Sequence, residues 1–214
     1  MHKDTQWIEI ERDFQAVSLG CILQDDLTKE QPRTEHRVRV DGESPDAKTP
    51  SGYYVWFDLP ESVVELAVEA GGIYEDYRRL VDLSNKANTD PVRCTLVPTP
   101  AYPFPEWVTL VRGRIIDSAG DGIPGCSLEL DLPSPSGSTD EYAEWRDRTV
   151  MSDRDGYVAY YVPKAASLVD SSSDEITIDG DTPTVIATHP DGQIQTQEIA
   201  IAHGEKVDIS VLFS

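Results

Sequence analysis

Apolar side chains in this chain recur at every second residue. Cys126, Leu128 and Leu130 alternate with Ser127, Glu129 and Asp131; Val64, Leu66 and Val68 alternate with Glu65, Ala67 and Glu69; and Val207, Ile209, Val211 and Phe213 share one parity. A strand turns successive side chains to opposite faces, so this pattern builds half-buried strands and gives a helix no continuous stripe. The pattern therefore predicts an all-β chain whose sheets must pack face to face to hide their apolar sides.

The strongest interruption is Pro98-Thr-Pro100-Ala-Tyr-Pro103-Phe-Pro105, four prolines in eight residues. Missing backbone donors and fixed φ angles make such a stretch extended and stiff. Similar signals appear in the same order on both sides of it, with a period near 100 residues. The second half opens with Thr109 to Ile116, an Asp117 to Gly122 turn, and Ile123 to Asp131, which reads as a β-hairpin. A turn at Asp153-Arg-Asp155-Gly156 then leads into Tyr157 to Val162, followed by Pro183 to Ala187, a His189-Pro-Asp-Gly192 turn, and strands at 193–201 and 207–213. In the first half, Ala16 to Gln24 and His36 to Val40 take the place of the opening hairpin, and Pro50-Ser-Gly52 turns into Tyr53 to Leu59. The expected architecture is two tandem antiparallel β-sandwich domains, 1–97 and 108–214, joined by a Pro/aromatic linker at 98–107. Pro133 to Asp147 and Ala165 to Asp181 fit no strand and read as long polar loops.

Charge limits the partners. The 214 residues carry 39 Asp plus Glu against 18 Lys plus Arg, a net charge of −21, which repels phosphate backbones and anionic lipid and so predicts neither nucleic-acid nor membrane partners. Acidic residues run throughout the chain, and Arg outnumbers Lys twelve to six, a surface of halophilic type, with an ordinary acidic domain as the alternative. No stretch has the roughly 18 consecutive apolar residues of a membrane span, and Met1 to Glu11 lacks the apolar core of a secretion signal. The expected location is therefore the cytoplasm, or a particle assembled there. Cys21, Cys94 and Cys126 show no paired spacing, and each sits in a strand pattern, so they read as reduced core residues.

Residues Val108 to Phe213 resemble the carboxypeptidase regulatory-like family, a transthyretin-like β-sandwich. The resemblance rests on Val111-Arg-Gly-Arg-Ile115, Gly122-Ile-Pro-Gly125 and Ser152-Asp-Arg-Asp-Gly-Tyr157. It implies a fold but not a peptidase, because such domains serve as accessory modules. The wider order of an acidic sandwich, the Val97 to Pro105 linker and a regulatory-like sandwich resembles two-domain components of contractile injection systems, the phage-tail-like particles. That resemblance implies an adaptor joining the terminal cap to tube or sheath, with other subunits of a large symmetric assembly as partners.

Catalytic chemistry has no visible constellation. Gly-x-Ser-x-Gly is absent, and His2, His36, His189 and His203 are each isolated in sequence, so neither a Ser-His hydrolase nor a His-rich metal site is predicted. The expectation is a non-enzyme without a cofactor. Asp153 and Asp155 are weak calcium candidates, set against the simpler reading that they cap a tight turn. Binding is better sought in the aromatics. Tyr53, Tyr54, Trp56 and Phe57 place rings on both faces of one strand, and Tyr102, Phe104 and Trp107 crowd the linker. Tyr54, Trp56, Tyr102, Phe104, Trp107 and Trp145 are thus the candidate partner-interface residues. Two other functions fit such a chain: a decoration or receptor-binding protein on a virion or particle, with the Ser/Asp-rich stretch 165–181 facing outward, and a carbohydrate-binding module using Trp145 or Trp107.

Overall fold

The computed structural model of the protein describes residues 16–32, 34–84, 90–131, 148–162, 183–201 and 204–214. Within these the chain is all-β. The stretches expected as loops at 133–147 and 165–181, and Trp145 with them, lie outside the described residues. Two compact units divide at Val97 and Pro98.

Unit 1 contains β1 (Val17–Asp25), β2 (Arg37–Val40), β3 (Ala47–Lys48), β4 (Tyr54–Phe57), β5 (Val63–Glu69), β6 (Tyr77–Asp82) and β7 (Val92–Leu96). They form two sheets, in the orders β3-β4-β1-β7 and β2-β5-β6. Leu19, Cys21, Leu23, Trp56 and Cys94 from the first sheet, and Val38, Val40, Val64, Leu66 and Val68 from the second, are buried. Each set belongs to one parity of its strands, as the alternation requires.

Unit 2 contains β8 (Thr109–Ile116), β9 (Ser127–Asp131), β10 (Thr149–Met151), β11 (Tyr157–Val162), β12 (Thr184–Thr188), β13 (Ile194–Glu198) and β14 (Lys206–Leu212). Its sheets run β10-β9-β12-β13 and β11-β8-β14. One buried cluster joins them: Val111, Ile115, Val158, Tyr160, Ile209 and Val211 meet Leu128, Leu130, Val150, Val185 and Ala187.

The two units share a wiring. In each, the first strand pairs antiparallel with the fourth (β1 with β4, β8 with β11) and parallel with the last (β1 with β7, β8 with β14). The second, fifth and sixth strands make the other sheet. Only the third strand differs, with β3 lying on β4 and β10 on β9. The duplication inferred from the order of sequence signals thus has a counterpart in topology, and the sandwiches are antiparallel except where first and last strands meet.

Both expected opening hairpins are corrected. β1 and β2 lie in different sheets, as do β8 and β9, with a single bridge between Ile116 and Gly122 left of the second hairpin. The turns that were to close them send the chain across the sandwich. After β8, Ile123 donates to the Ile115 carbonyl, and Gly125 then adopts φ 72°, which favours glycine. After β1, the buried Asp25 carboxylate accepts the Leu27 and Thr28 amides at 2.7 and 2.9 Å and the Tyr74 hydroxyl at 2.6 Å, fixing the crossover loop.

The three cysteines are buried free thiols. A hydrogen bond with Cys94, together with burial, pushes the Cys21 thiol up, so it stays neutral in the core.

Candidate functional site

Among the described residues, one five-residue turn is used four times. In Asp117–Asp121, Asp153–Tyr157, Thr49–Tyr53 and His189–Gln193, the first amide donates to the fifth carbonyl and the fourth amide donates to the first carbonyl. The fourth residue is always glycine, with φ of 86°, 81°, 87° and 93° respectively, a conformation other residues rarely adopt. The first side chain closes the turn. Asp153 Oδ1 accepts the amides of Asp155 and Tyr157, Asp117 Oδ1 those of Ala119 and Asp121, and Thr49 Oγ1 that of Tyr53. The calcium candidates are therefore placed as a turn cap, Asp153, and an exposed partner of Arg154, Asp155. Among the described residues, no three His, Cys, Asp or Glu side chains gather as a metal site.

The aromatic candidates divide. Trp56 is 1 % exposed, a correction to its reading as an interface residue: it shares an inward parity with Tyr54 and pairs with Leu19 on β1. Its neighbours Tyr53, Val55 and Phe57 point the other way and are half-buried. Gly20 pairs with Val55, and Ile22 follows on the same parity of β1. The outer face of the β3-β4-β1-β7 sheet thus carries Ile22, Tyr53, Val55 and Phe57 around a glycine, with Gln24 and Arg93 toward its β7 side.

The outer face of the opposing sheet is built differently. There Arg37 and Arg39 lie within 3.9 and 3.8 Å of Glu69, and Arg78 within 3.0 Å of Glu65. Paired charges of this kind contribute little stability but keep a face wet. Unit 1 therefore has one charged outer face and one largely uncharged one.

In unit 2 the corresponding outer face is partly covered by the chain itself. Leu110, Ala159 and Tyr161 are buried although they point away from the core cluster. Phe104 packs on Tyr161 at 5.4 Å between ring centroids, Tyr102 packs on Phe104 at 5.0 Å, and the Arg148 guanidinium lies 4.2 Å from the Tyr161 ring. The segment holds its own turns, with Tyr102 donating to the Thr99 carbonyl and Phe104 to that of Tyr102. Three of the aromatics flagged in the sequence are thus separated by role: Tyr102 and Phe104 sheathe Tyr161, and Trp107 remains 44 % exposed.

One of the clefts in unit 1 brings a histidine together with other polar groups. It encloses about 820 Å³ and is lined by Thr34, His36, Arg37, Lys48, Tyr54 and Glu69, among others. His36 Nε2 lies 2.6 Å from the Tyr54 hydroxyl, and Lys48 Nζ sits 4.7 Å from the Tyr54 ring centroid. Burial, and then the Lys48 ammonium, hold His36 below its ordinary pKa. Among the described residues, no Ser or Cys lines the cleft beside the imidazole. Sequence reasoning treated His36 as isolated; its partner is 18 residues away on another sheet.

No protein-family model matches the chain, and no curated protein matches it. Among solved structures, the chain is similar to the TIE protein of Bacillus anthracis, with 13 % identity over 92 % of this chain and 33 % of that one, at a TM-score of 0.30. It is similar also to a streptococcal ancillary pilin, with 11 % identity over 91 % of this chain and 68 % of that one, TM-score 0.30. A third is BcpA, the major pilin subunit of Bacillus cereus, with 12 % identity over 84 % of this chain and 55 % of that one, TM-score 0.27. The chain spans about a third of the length of the first of these. Likenesses of this size carry no function to the chain.

Proposed function

We propose that this chain is a non-catalytic docking component of a larger protein assembly, an adaptor that joins the cap of a phage-tail-like contractile injection particle to its tube or sheath. The observation that carries the docking part is the outer face of the β3-β4-β1-β7 sheet. Ile22, Tyr53, Val55 and Phe57 lie together there, in a chain of net charge −21 whose opposing sheet bears Arg and Glu instead. A solvated antiparallel sheet needs rings and branched side chains on one face only, and rings on the second face fit the enriched centre of a protein interface. The assignment to an injection particle assembled in the cytoplasm rests on the sequence resemblance.

Electron microscopy of particles isolated in high salt, with gold-labelled antibody against this chain, tests the proposal. Label at the tube end is expected. Label over the outer shell would instead favour a decoration or receptor-binding role, and chain found only as free protein would reject assembly altogether.

A further inference from the structure

β13 is an edge strand with all five residues exposed, Ile194 at 62 %. The reason lies in sheet width: β13 is the fourth strand of a sheet that faces a three-stranded one. Gln195 and Gln197 pair with Ala187 and Val185, whose side chains enter the core, yet both glutamines are exposed. The strand overhangs the core.

Hydrogen bonding in an antiparallel ladder alternates along the strand. His189 donates to the Gln193 carbonyl and Ile199 donates to the Pro183 carbonyl, so the odd-numbered residues of this stretch turn their backbone groups toward β12. Ile194, Thr196 and Glu198 accordingly turn their N–H and C=O groups outward, and among the described residues no strand pairs with that edge. Natural edges are commonly guarded by Lys, Pro or a bulge. This one has none of them, and from Ile194 to Gln197 it carries no charge.

From this we infer that the outer edge of β13 is a strand-addition site that takes an extended, basic segment of a partner protein. Charge selects the occupant. On the outer face, Glu198 and Asp131 both pair with Thr184, and Glu129 pairs with Ile186 in the next row. Glu198 thus stands at one end of the edge, with Asp131 and Glu129 behind it on β9 adding to the negative field of that face, while Ile194 offers an apolar contact at the other. A complementary strand carries Lys or Arg opposite Glu198 and an apolar residue opposite Ile194. A second copy of this chain fits less well, since each molecule brings a charge of −21. The inference rests on the reading that the chain works by docking proteins, but on a different surface from the one that carries that reading.

The test uses the full chain and a fluorescein-labelled peptide, Lys-Val-Thr-Val-Thr-Val-Lys, with a peptide bearing Glu in place of both lysines as control. Fluorescence polarisation is expected to show binding of the basic peptide only. Thr196→Pro removes an outward N–H and leaves the β12 ladder intact, so it should weaken binding at least tenfold without lowering the melting temperature. Unchanged binding to Thr196→Pro, or no binding of the basic peptide up to about 1 mM, overturns the inference. A dimer of the chain alone that Thr196→Pro abolishes also overturns it, by naming a second copy as the occupant. Val55→Lys should bind the peptide as the wild type does, so a failure at β13 is separable from a failure of the docking face on unit 1.

Discussion

The two units treat equivalent places in opposite ways. In unit 2, the outer face of the sheet built on the first strand has its apolar end sheathed by Tyr102 and Phe104 of the same chain, and Tyr161 beneath them is fully buried. In unit 1 the matching face leaves Ile22, Tyr53, Val55 and Phe57 partly exposed. The sixth strands, each at the edge of its sheet, reverse the contrast. β6 carries Arg78, Arg79 and Asp82, which discourage an added strand, whereas β13 is uncharged until Glu198. Among the described residues, each unit therefore keeps one of the two places closed and leaves the other uncovered, and on the docking proposal a pair of similar sandwiches would receive different partners at different surfaces.

The largest effect that probes this contrast sets neighbouring residues of β4 against each other. Trp56→Ala empties a core position and should cost unit 1 about 3–5 kcal/mol, read as a fall in the urea midpoint followed by circular dichroism. Phe57→Ala, one residue along and facing out, should cost less than about 1 kcal/mol. Equal losses would mean that the outer face is as structural as the core.

Next in size is the sheath on unit 2. Phe104→Ala should destabilise unit 2 by about 2 kcal/mol and raise the exchange rate of the Tyr161 amide. No change in either would place Phe104 with the partner-facing aromatics and remove the contrast between units.

The shared turn gives a smaller and more even effect. Asp153→Ala removes two side-chain hydrogen bonds to backbone amides and Thr49→Ala removes one. The expected costs are about 1–2 and about 1 kcal/mol, each confined to its own unit in hydrogen exchange. Calcium should leave the melting temperature of wild type and Asp153→Ala alike, because the carboxylate is occupied as a cap.

The smallest predicted effect concerns the cleft on unit 1. Burial, and then Lys48, disfavour the charged form of His36, so its folded pKa lies below the unfolded value near 6.5. Between those two values the unfolded chain binds more protons, and stability therefore rises with pH. It is fully present above about pH 6.5 and is lost as the pH falls toward the folded pKa. Melting curves from pH 7.5 to 5.5 should show this slope, and His36→Gln should flatten it. A slope unchanged by that substitution would remove His36 from the account.

Much of the fold could be read in the residues because strand parity is a local property. Leu128 and Leu130 facing one way, or Val64 to Val68, needed no knowledge of distant partners. Turn chemistry was equally local: glycine at the fourth position marks the four shared turns, with an Asp or Thr at the first position in three of them and His189 in the fourth. Pairing was not local. Nothing in Asp117 to Gly122 says that β9 crosses to the other sheet, because the same Asp and Gly residues serve a hairpin or a crossover. Likewise the overhang of β13 follows from four strands facing three, and the Phe104 contact from Tyr161 lying 57 positions later. Trp56 was misread because rings on both faces of β4 cannot reveal which parity faces the core. His36 and Tyr54 meet only through the packing of two sheets.

The most direct test of the docking face compares Val55→Lys with Ala67→Glu in cells that make the native assembly. Val55 lies on the largely uncharged outer face, and Ala67 lies between Arg39 and Arg78 on the charged one. Sedimentation of gently lysed cells in high salt should leave Val55→Lys in the supernatant and carry Ala67→Glu down with the particle, as it carries wild type. Both variants sedimenting alike would contradict the assignment of that face to a partner.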